Sequence, residues 1–211
     1  MAPTSFEIAL DALVREYQQR ATHASALSGD PPTSDAGAAA DLHARLTTLI
    51  HSGAPDALMR AAERYRDVLE IAGPLYERVV ELDPTNVRAI IGLANAYWLT
   101  GRGPDVVGAL ADRARTVDPH SRAAWHLWAL TESDPRRRVD RWRRVCDAFS
   151  DDDLARANLA DNAASLAGAE NDPAALQLAL ETYADLRRRA KEPAQVAALD
   201  QALTTLGRWK V

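Results

Sequence analysis

An Asp-Pro pair recurs in this sequence at the spacing of a repeated helix pair. Asp83-Pro84 is followed thirty-five residues later by Asp118-Pro119, and each pair comes directly after a stretch in which apolar residues recur every three or four positions. Proline lacks the N–H that a helix interior needs, so each pair predicts the end of a helix. A fixed period of about 20 to 50 residues is typical of helical-repeat proteins.

The residues around the first Asp-Pro pair follow a fixed order of sizes. The segment before it has a small, an aromatic and an aliphatic residue and then the proline, at Ala72, Tyr76, Val79 and Pro84. The next helix places two large residues, a small one and an aromatic one at Ile90, Leu93, Ala94 and Tyr97. Both patterns resemble the tetratricopeptide repeat. A small residue is expected at Ala94 because two paired helices approach closely there.

Weaker copies of the pattern extend in both directions. Before the central unit they include Leu58, Ala61, Ala62 and Tyr65; after it they include Trp125, Trp128 and Ala129, with Glu132 in place of the aromatic residue. A final helix from 194 to about 206 has one polar side, as a capping helix needs. The resemblance covers roughly residues 55–208. It implies an all-α fold, a right-handed superhelix of antiparallel helix pairs (an α-solenoid).

The first fifty residues lie outside this resemblance. Apolar residues recur at helical spacing between residues 4 and 27, and Thr4 or Ser5 can cap that helix. Glycine, proline, serine and aspartate dominate residues 28–37, which predicts a flexible linker, and a further helix is expected over 38–51. We therefore divide the chain into an N-terminal helix with its linker, 1–37, and a helical-repeat domain, 38–211. The extra helix is a candidate either for folding back into the groove of the repeat domain or for pairing with a second copy in a homodimer.

Composition narrows the functional classes. The net charge is −5 and the isoelectric point is near 5.5, which argues against a surface designed throughout for nucleic acid. Arginine far outnumbers lysine, a bias that a GC-rich, bacterial-type genome produces. One cysteine cannot form an internal disulfide, and no apolar run reaches the length of about 18 residues that suggests a membrane span. These features predict a cytoplasmic protein without a membrane anchor.

The sequence contains none of the common catalytic motifs, so we expect no enzyme, cofactor or metal site. Cys146 falls near a small-residue position, which favours packing over a nucleophilic role. His43 and His51 lack the acidic partners of a metal site. The acidic run 151–153 precedes a helix, where aspartates cap free N–H groups, although such a run can also attract a cation.

The segment Arg136–Arg144 is the most basic stretch of the chain. Its arginines, with Arg137, Arg141 and Arg144 as the candidate basic patch, could bind phosphates while Trp142 stacks on a base. Alternatively, Val139, Trp142 and Cys146 follow helical spacing and form a buried stripe, which leaves the arginines on a solvated, salt-bridged face. The first alternative makes nucleic acid or a nucleoprotein a second candidate partner.

The family resemblance also implies a binding surface, because the first helix of each repeat lines a concave groove. Matched position by position, the central repeat contributes Arg88, Ile91, Asn95 and Trp98, and neighbouring repeats contribute Glu63, Arg66, His126 and Asp161. An asparagine at the position of Asn95 can bond a peptide main chain through its carbonyl and its amide; the alternative is a solvated side chain. The resemblance implies a non-enzymatic adaptor or scaffold that binds a peptide segment or helix of another protein.

Overall fold

A computed structural model describes residues 3–28 and 36–210, and these residues form helices and connecting turns without a strand. The chain divides into two compact units, Met1–Val117 and Asp118–Val211. The first unit contains α1 (Ser5–Ser28), α2 (Ala36–Ile50), α3 (Pro55–Arg64), α4 (Leu69–Leu82), α5 (Val87–Leu99) and α6 (Pro104–Val117). The second contains α7 (Arg122–Leu130), α8 (Pro135–Ala148), α9 (Asp153–Glu170), α10 (Pro173–Arg189) and α11 (Pro193–Leu206).

Helices of the first unit pack as consecutive antiparallel pairs: α1 with α2, α3 with α4, and α5 with α6. The pair α1 and α2 also lies against the next pair, since α1 contacts α3 and α2 contacts α4. Large aliphatic side chains form the core of the first unit, among them Leu10, Leu46, Leu58, Ile71 and Ile90. Ala72 and Ala94, the small residues of the repeat pattern, are completely buried, as their positions predicted.

Local chemistry explains where the central helices begin and end. After Asp83-Pro84, the side chain of Asn86 accepts a hydrogen bond from the Ala89 N–H at 3.1 Å and so caps α5. Two glycines, Gly101 with φ of 74° and Gly103 with φ of 91°, form the turn into α6. Glycine adopts these angles without a steric penalty, so both residues fit this turn.

The N-terminal helix is held to the rest of the first unit by apolar and charged contacts. Phe6, Leu10, Leu13 and Val14 are buried. Glu7 lies 3.1 Å from the Arg60 Nε, and Asp11 lies 2.9 Å from the Arg64 Nη1. The predicted linker falls mostly on residues 29–35, outside the described residues. The predicted division at residue 37 and the boundary between the compact units after residue 117 lie at different places.

In the second unit the pairs are α7 with α8 and α9 with α10, and α11 packs against α10. Three aspartates cap its helices. Asp134, Asp152 and Asp172 accept hydrogen bonds from main-chain N–H groups in the first turns of α8, α9 and α10. Of the acidic run 151–153, Asp152 therefore has the predicted capping role. Beyond α11, the Trp209 ring folds back over Gly168 of α9.

Candidate functional site

One side of α5 is exposed and combines apolar and hydrogen-bonding groups. Ile91, Asn95 and Trp98 follow one another at intervals of four and three residues, so they share this side. Ile91 is half-buried, Asn95 is exposed and Trp98 is 40% exposed. The opposite side of the helix is buried in the core. Within the described residues the Asn95 amide has no hydrogen-bond partner, so its carbonyl and N–H₂ groups both reach solvent.

The two predicted arginines of the first unit have different surroundings. Arg88, at the start of α5, forms an ion pair with Glu63 of α3. This contact joins the first helices of two successive helix pairs. Arg66 lies after α3 and is largely exposed, with its Nε 3.8 Å from a carboxylate oxygen of Asp67. A surface pair at this distance contributes little. Arg66 therefore keeps its charge available at the surface, whereas Arg88 shares its charge with Glu63.

His126 belongs to the second unit, so the predicted groove residues are divided between the two units. Its Nε2 lies 2.7 Å from Asp152 Oδ2, and its ring makes an edge contact with Trp142. Asp152 is only 3% exposed. Burial raises the pKa of this carboxyl, but hydrogen bonds from the Ala155 N–H and from His126 outweigh it and lower the pKa. His126 thus links α7 to the beginning of α9, a contact that the sequence pattern did not predict.

Arg141 of the candidate basic patch is engaged inside the second unit. Its Nη2 lies 2.8 Å from Glu132, and its Nη1 donates to the Trp128 carbonyl at 2.6 Å. The guanidinium also lies over the Trp128 ring, 4.6 Å from the centroid. Glu132 is buried, so Arg141 neutralises a carboxylate at the position where the repeat pattern has an aromatic residue.

The remaining arginines of the segment are mostly paired as well. Arg136 bonds Asp172 at 2.8 Å, Arg137 lies 3.7 Å from Glu132, Arg138 donates to two main-chain carbonyls, and Arg143 lies 3.5 Å from Asp140. Arg144 is exposed, and the described part of the chain offers it no ion pair. Trp142 is buried and cannot stack on a base. These contacts agree with a salt-bridged helix face over a buried stripe.

A groove lies between α9 and α11 in the second unit. It is an open groove with a volume of about 560 Å³, lined by Asp161, Ala164, Ser165, Tyr183, Ala198, Gln201, Ala202, Thr205, Leu206 and Trp209. We call it the α9–α11 groove. Of these residues, only Asp161 was predicted from the family resemblance to belong to a binding surface. The others come together because α11 packs on α10, an arrangement that no local pattern specifies.

A second cleft, of about 490 Å³, lies in the first unit between α2, α4 and the end of α5. Gly73 and Pro74 of α4 form part of its wall. Tyr97 donates a hydrogen bond to Glu77 at 2.6 Å, and burial together with this carboxylate raises the pKa of Tyr97 to about 12. The Arg102 guanidinium lies 5.1 Å from the centre of the Tyr97 ring. The cleft depends on where α2 lies beside α4, so sequence spacing did not indicate it.

The surroundings of Cys146 disfavour a nucleophilic role for its thiol. Cys146 is half-buried, and burial raises the pKa of its thiol to about 11, so the reactive thiolate is scarce near neutral pH. In the ranges 3–28 and 36–210 no group of three or more histidine, cysteine or acidic residues could hold a metal ion. Across the same ranges, no helix has both the length and the apolar character needed to cross a membrane.

The sequence matches no protein-family model and no curated protein. The structure is similar to YrrB, described as a tetratricopeptide-repeat protein with an unusual peptide-binding site, at a TM-score of 0.57, 15% identity and coverage of 95% of this chain and 100% of that one. A thermophilic tetratricopeptide-repeat protein from Thermus thermophilus is similar at a TM-score of 0.55 and 14% identity, with coverage of 92% of this chain and 99% of that one. The protein MamA is similar at a TM-score of 0.53 and 15% identity, with coverage of 72% of this chain and 76% of that one.

Coverage of 95% exceeds what residues 55–208 alone could supply, so the similarity to YrrB includes much of the α1 and α2 pair. The helix pair before residue 55 thus takes part in the same architecture, although the repeat pattern in the sequence did not extend to it. Each described unit is built from antiparallel helix pairs, as predicted. The chain has the all-helical tetratricopeptide-repeat fold.

Proposed function

We propose that the protein is a non-enzymatic adaptor that binds a peptide segment or a helix of another protein through the exposed side of α5. The observation that carries this proposal is the row of Ile91, Asn95 and Trp98 on one side of a helix whose other side is buried. An exposed indole beside an unpartnered amide is the composition of an interaction surface, where aromatic anchors supply much of the binding energy. The fold supports the same general role.

Each residue of the row has a separate part in the proposed contact. The Asn95 amide donates a hydrogen bond to the main chain of the bound segment and accepts one from it, so it binds a peptide without selecting its sequence. Trp98 and Ile91 cover an apolar side chain of the partner. Arg66, with its exposed charge, favours an acidic residue at the edge of the contact. The description of YrrB as peptide-binding supports this kind of ligand, although at 15% identity it does not specify the residues.

We place this activity in the cytoplasm, because the single cysteine is a free thiol of the kind that a reducing compartment maintains. A homodimer through the N-terminal helix has less support, because Phe6, Leu10 and Leu13 are buried within the same chain. Nucleic-acid binding through Arg136–Arg144 has less support as well, since Arg141 is committed to Glu132 and Trp142 is buried.

Affinity capture from the native cell, followed by mass spectrometry, tests the proposal. We expect the wild-type chain to retain a specific protein and the double variant Asn95→Ala, Trp98→Ala to lose it. The matched control is Val106→Ala, because Val106 is an exposed aliphatic residue, 46% exposed, that lies on α6 and not on α5. Retention by the control and loss by the double variant support the proposal. Equal retention by all three proteins contradicts it.

A further inference from the structure

The α9–α11 groove has an uncompensated negative charge. Asp161 is the one charged residue among its lining residues. The Tyr183 hydroxyl donates a hydrogen bond to Asp161 Oδ1. Burial and the neighbouring carboxylate raise the pKa of Tyr183, so the hydroxyl stays protonated and the bond persists at neutral pH. Within the described residues no lysine or arginine pairs with Asp161, and its Oδ2 has no hydrogen-bond partner.

Aromatic and small side chains form the rest of the groove. Trp209 is 40% exposed and its ring lies over Gly168, where an added Cβ would come within 3.1 Å of the indole. The indole therefore forms one end of the groove. Ala164 on α9 and Ala198 and Ala202 on α11 project little, so the groove stays open between the two helices. Gly168 follows Asp161 by two helical turns of α9, so the indole and the carboxylate lie roughly 10 Å apart along the groove.

We propose that the α9–α11 groove accepts an arginine side chain of the bound partner protein. The planar guanidinium can donate to the free Asp161 oxygen, while its aliphatic stem extends along the alanines toward the Trp209 ring. Gln201, Ser165 and Thr205 provide hydrogen bonds for the main chain on either side. This inference rests on the proposed function, since the occupant belongs to a protein partner, and it adds the chemistry that the second unit recognises.

Model peptides test the groove without knowledge of the partner. The probes are Ac-Ala-Arg-Ala-NH₂ and the same peptide with citrulline, which keeps the shape of arginine but has no charge. They are titrated into the full-length ¹⁵N-labelled protein. The readout is the indole N–H resonance of Trp209, identified by its loss in Trp209→Phe. We expect a saturable shift with the arginine peptide and about fivefold weaker binding of the citrulline peptide, the size expected for a partly exposed ion pair.

Two variants connect the shift to the proposed contacts. Asp161→Asn can still accept the Tyr183 hydroxyl bond, so it should leave the fold intact and make the two peptides bind equally. Ala198→Leu places a larger side chain in the groove and should abolish the Trp209 shift. Intact helix content in both variants is checked by circular dichroism.

Several results would overturn the inference. They are the absence of a saturable Trp209 shift, equal binding of both peptides to the wild type, and an arginine preference that survives in Asp161→Asn. A Trp209 resonance that moves on simple dilution would instead place a second copy in the groove and also contradict it. The variants Asn95→Ala and Trp98→Ala on α5 do not alter the lining of the α9–α11 groove. A failed affinity capture and a failed peptide titration are therefore separate outcomes.

Discussion

The ring of Tyr76 in α4 occupies the space in which a side chain at position 92 of α5 would have to lie. A Cβ built on Gly92 would overlap the ring atoms of Tyr76. Tyr76 is an aromatic residue of the repeat pattern, and Gly92 is the residue that lets its ring lie against the α5 backbone. This contact joins two successive helix pairs of the first unit.

Gly92→Ala should therefore destabilise the protein, even though alanine favours a helix more than glycine does. We expect a loss of about 1–3 kcal/mol in the free energy of unfolding, because the core must shift to accept the extra carbon. Urea denaturation followed by circular dichroism measures it. In a Tyr76→Leu background the same substitution should cost clearly less. An equal cost in both backgrounds would contradict the proposed steric cause.

Gly73→Ala is the matched substitution on the neighbouring helix, and it should not cause the loss expected for Gly92→Ala. Gly73 lies inside α4, and a Cβ there would meet no atom within 4 Å other than those of its chain neighbours, because it would face the cleft between α2, α4 and α5. Alanine gains about 0.5–1 kcal/mol over glycine inside a helix, but a Cβ directly before proline crowds the proline ring, here that of Pro74, and this offsets the gain. The same denaturation experiment should therefore show a change in stability smaller than about 1 kcal/mol. A loss equal to that of Gly92→Ala would show that the cleft is closed in solution.

The contact between Glu7 and Arg60 should make stability depend on pH. The hydrogen bond from Arg60, followed by those from Thr4, lowers the pKa of Glu7 from 4.5 to about 2. A carboxyl with a lowered pKa in the folded state stabilises the protein above the pKa of the unfolded chain and loses this contribution as pH falls toward the folded value. The stabilisation should be complete above about pH 5 and decline between about pH 4.5 and pH 2.

Thermal unfolding of wild type and Glu7→Gln across this range checks the expectation. The difference in melting temperature between the two proteins should be largest near neutral pH and should shrink on acidification. Glu192→Gln is a control, since the Glu192 side chain caps no N–H group. If the difference in melting temperature between wild type and Glu7→Gln does not change with pH, the charged form of Glu7 does not stabilise the protein.

Arg141→Ala should destabilise the second unit strongly. The substitution removes the 2.8 Å partner of the buried Glu132 carboxylate and leaves Arg137, 3.7 Å away, as its remaining cation. Breaking a buried ion pair typically costs about 3–5 kcal/mol, and the remaining cation places the expected loss near the lower end of that range. Arg144→Ala is the matched control on the same helix, because Arg144 is exposed and unpaired in the described chain, and it should change stability by less than about 0.5 kcal/mol. Similar small effects for both variants would contradict a structural role for Arg141 and would indicate that its charge is free at the surface.

The parts of the fold that depend on local pattern were predictable from the sequence. The order of small and large residues around Ala94 located α5 and its partner helices, and the aspartates before helices indicated caps such as Asp152. The pairing of α1 with α2 was not predicted, because the residues of these two helices lack the repeat's spacing. Their position beside α3 and α4 depends on tertiary contacts, and Leu10 and Leu46 are fully buried there.

The candidate site was predictable on α5 and less so elsewhere. Helical periodicity places Ile91, Asn95 and Trp98 on one side whatever the rest of the chain does. His126 is at a binding-surface position of its own repeat. Its imidazole is nevertheless hydrogen-bonded to Asp152, a partner twenty-six residues away. The contact of Trp209 with Gly168 depends equally on distant chain segments. Local spacing identifies faces of helices, but contacts between distant segments decide which side chains on those faces are free.

Site-specific photocross-linking tests the central claim most directly. A photoreactive phenylalanine derivative is introduced at position 95, at position 98 or at the control position 106, where Val106 is 46% exposed on α6. The cells are irradiated and the adducts identified by mass spectrometry. The account predicts that the same partner protein is cross-linked from positions 95 and 98 and not from position 106. No protein adduct from 95 and 98, or equal adducts from all three positions, would contradict binding through the exposed side of α5.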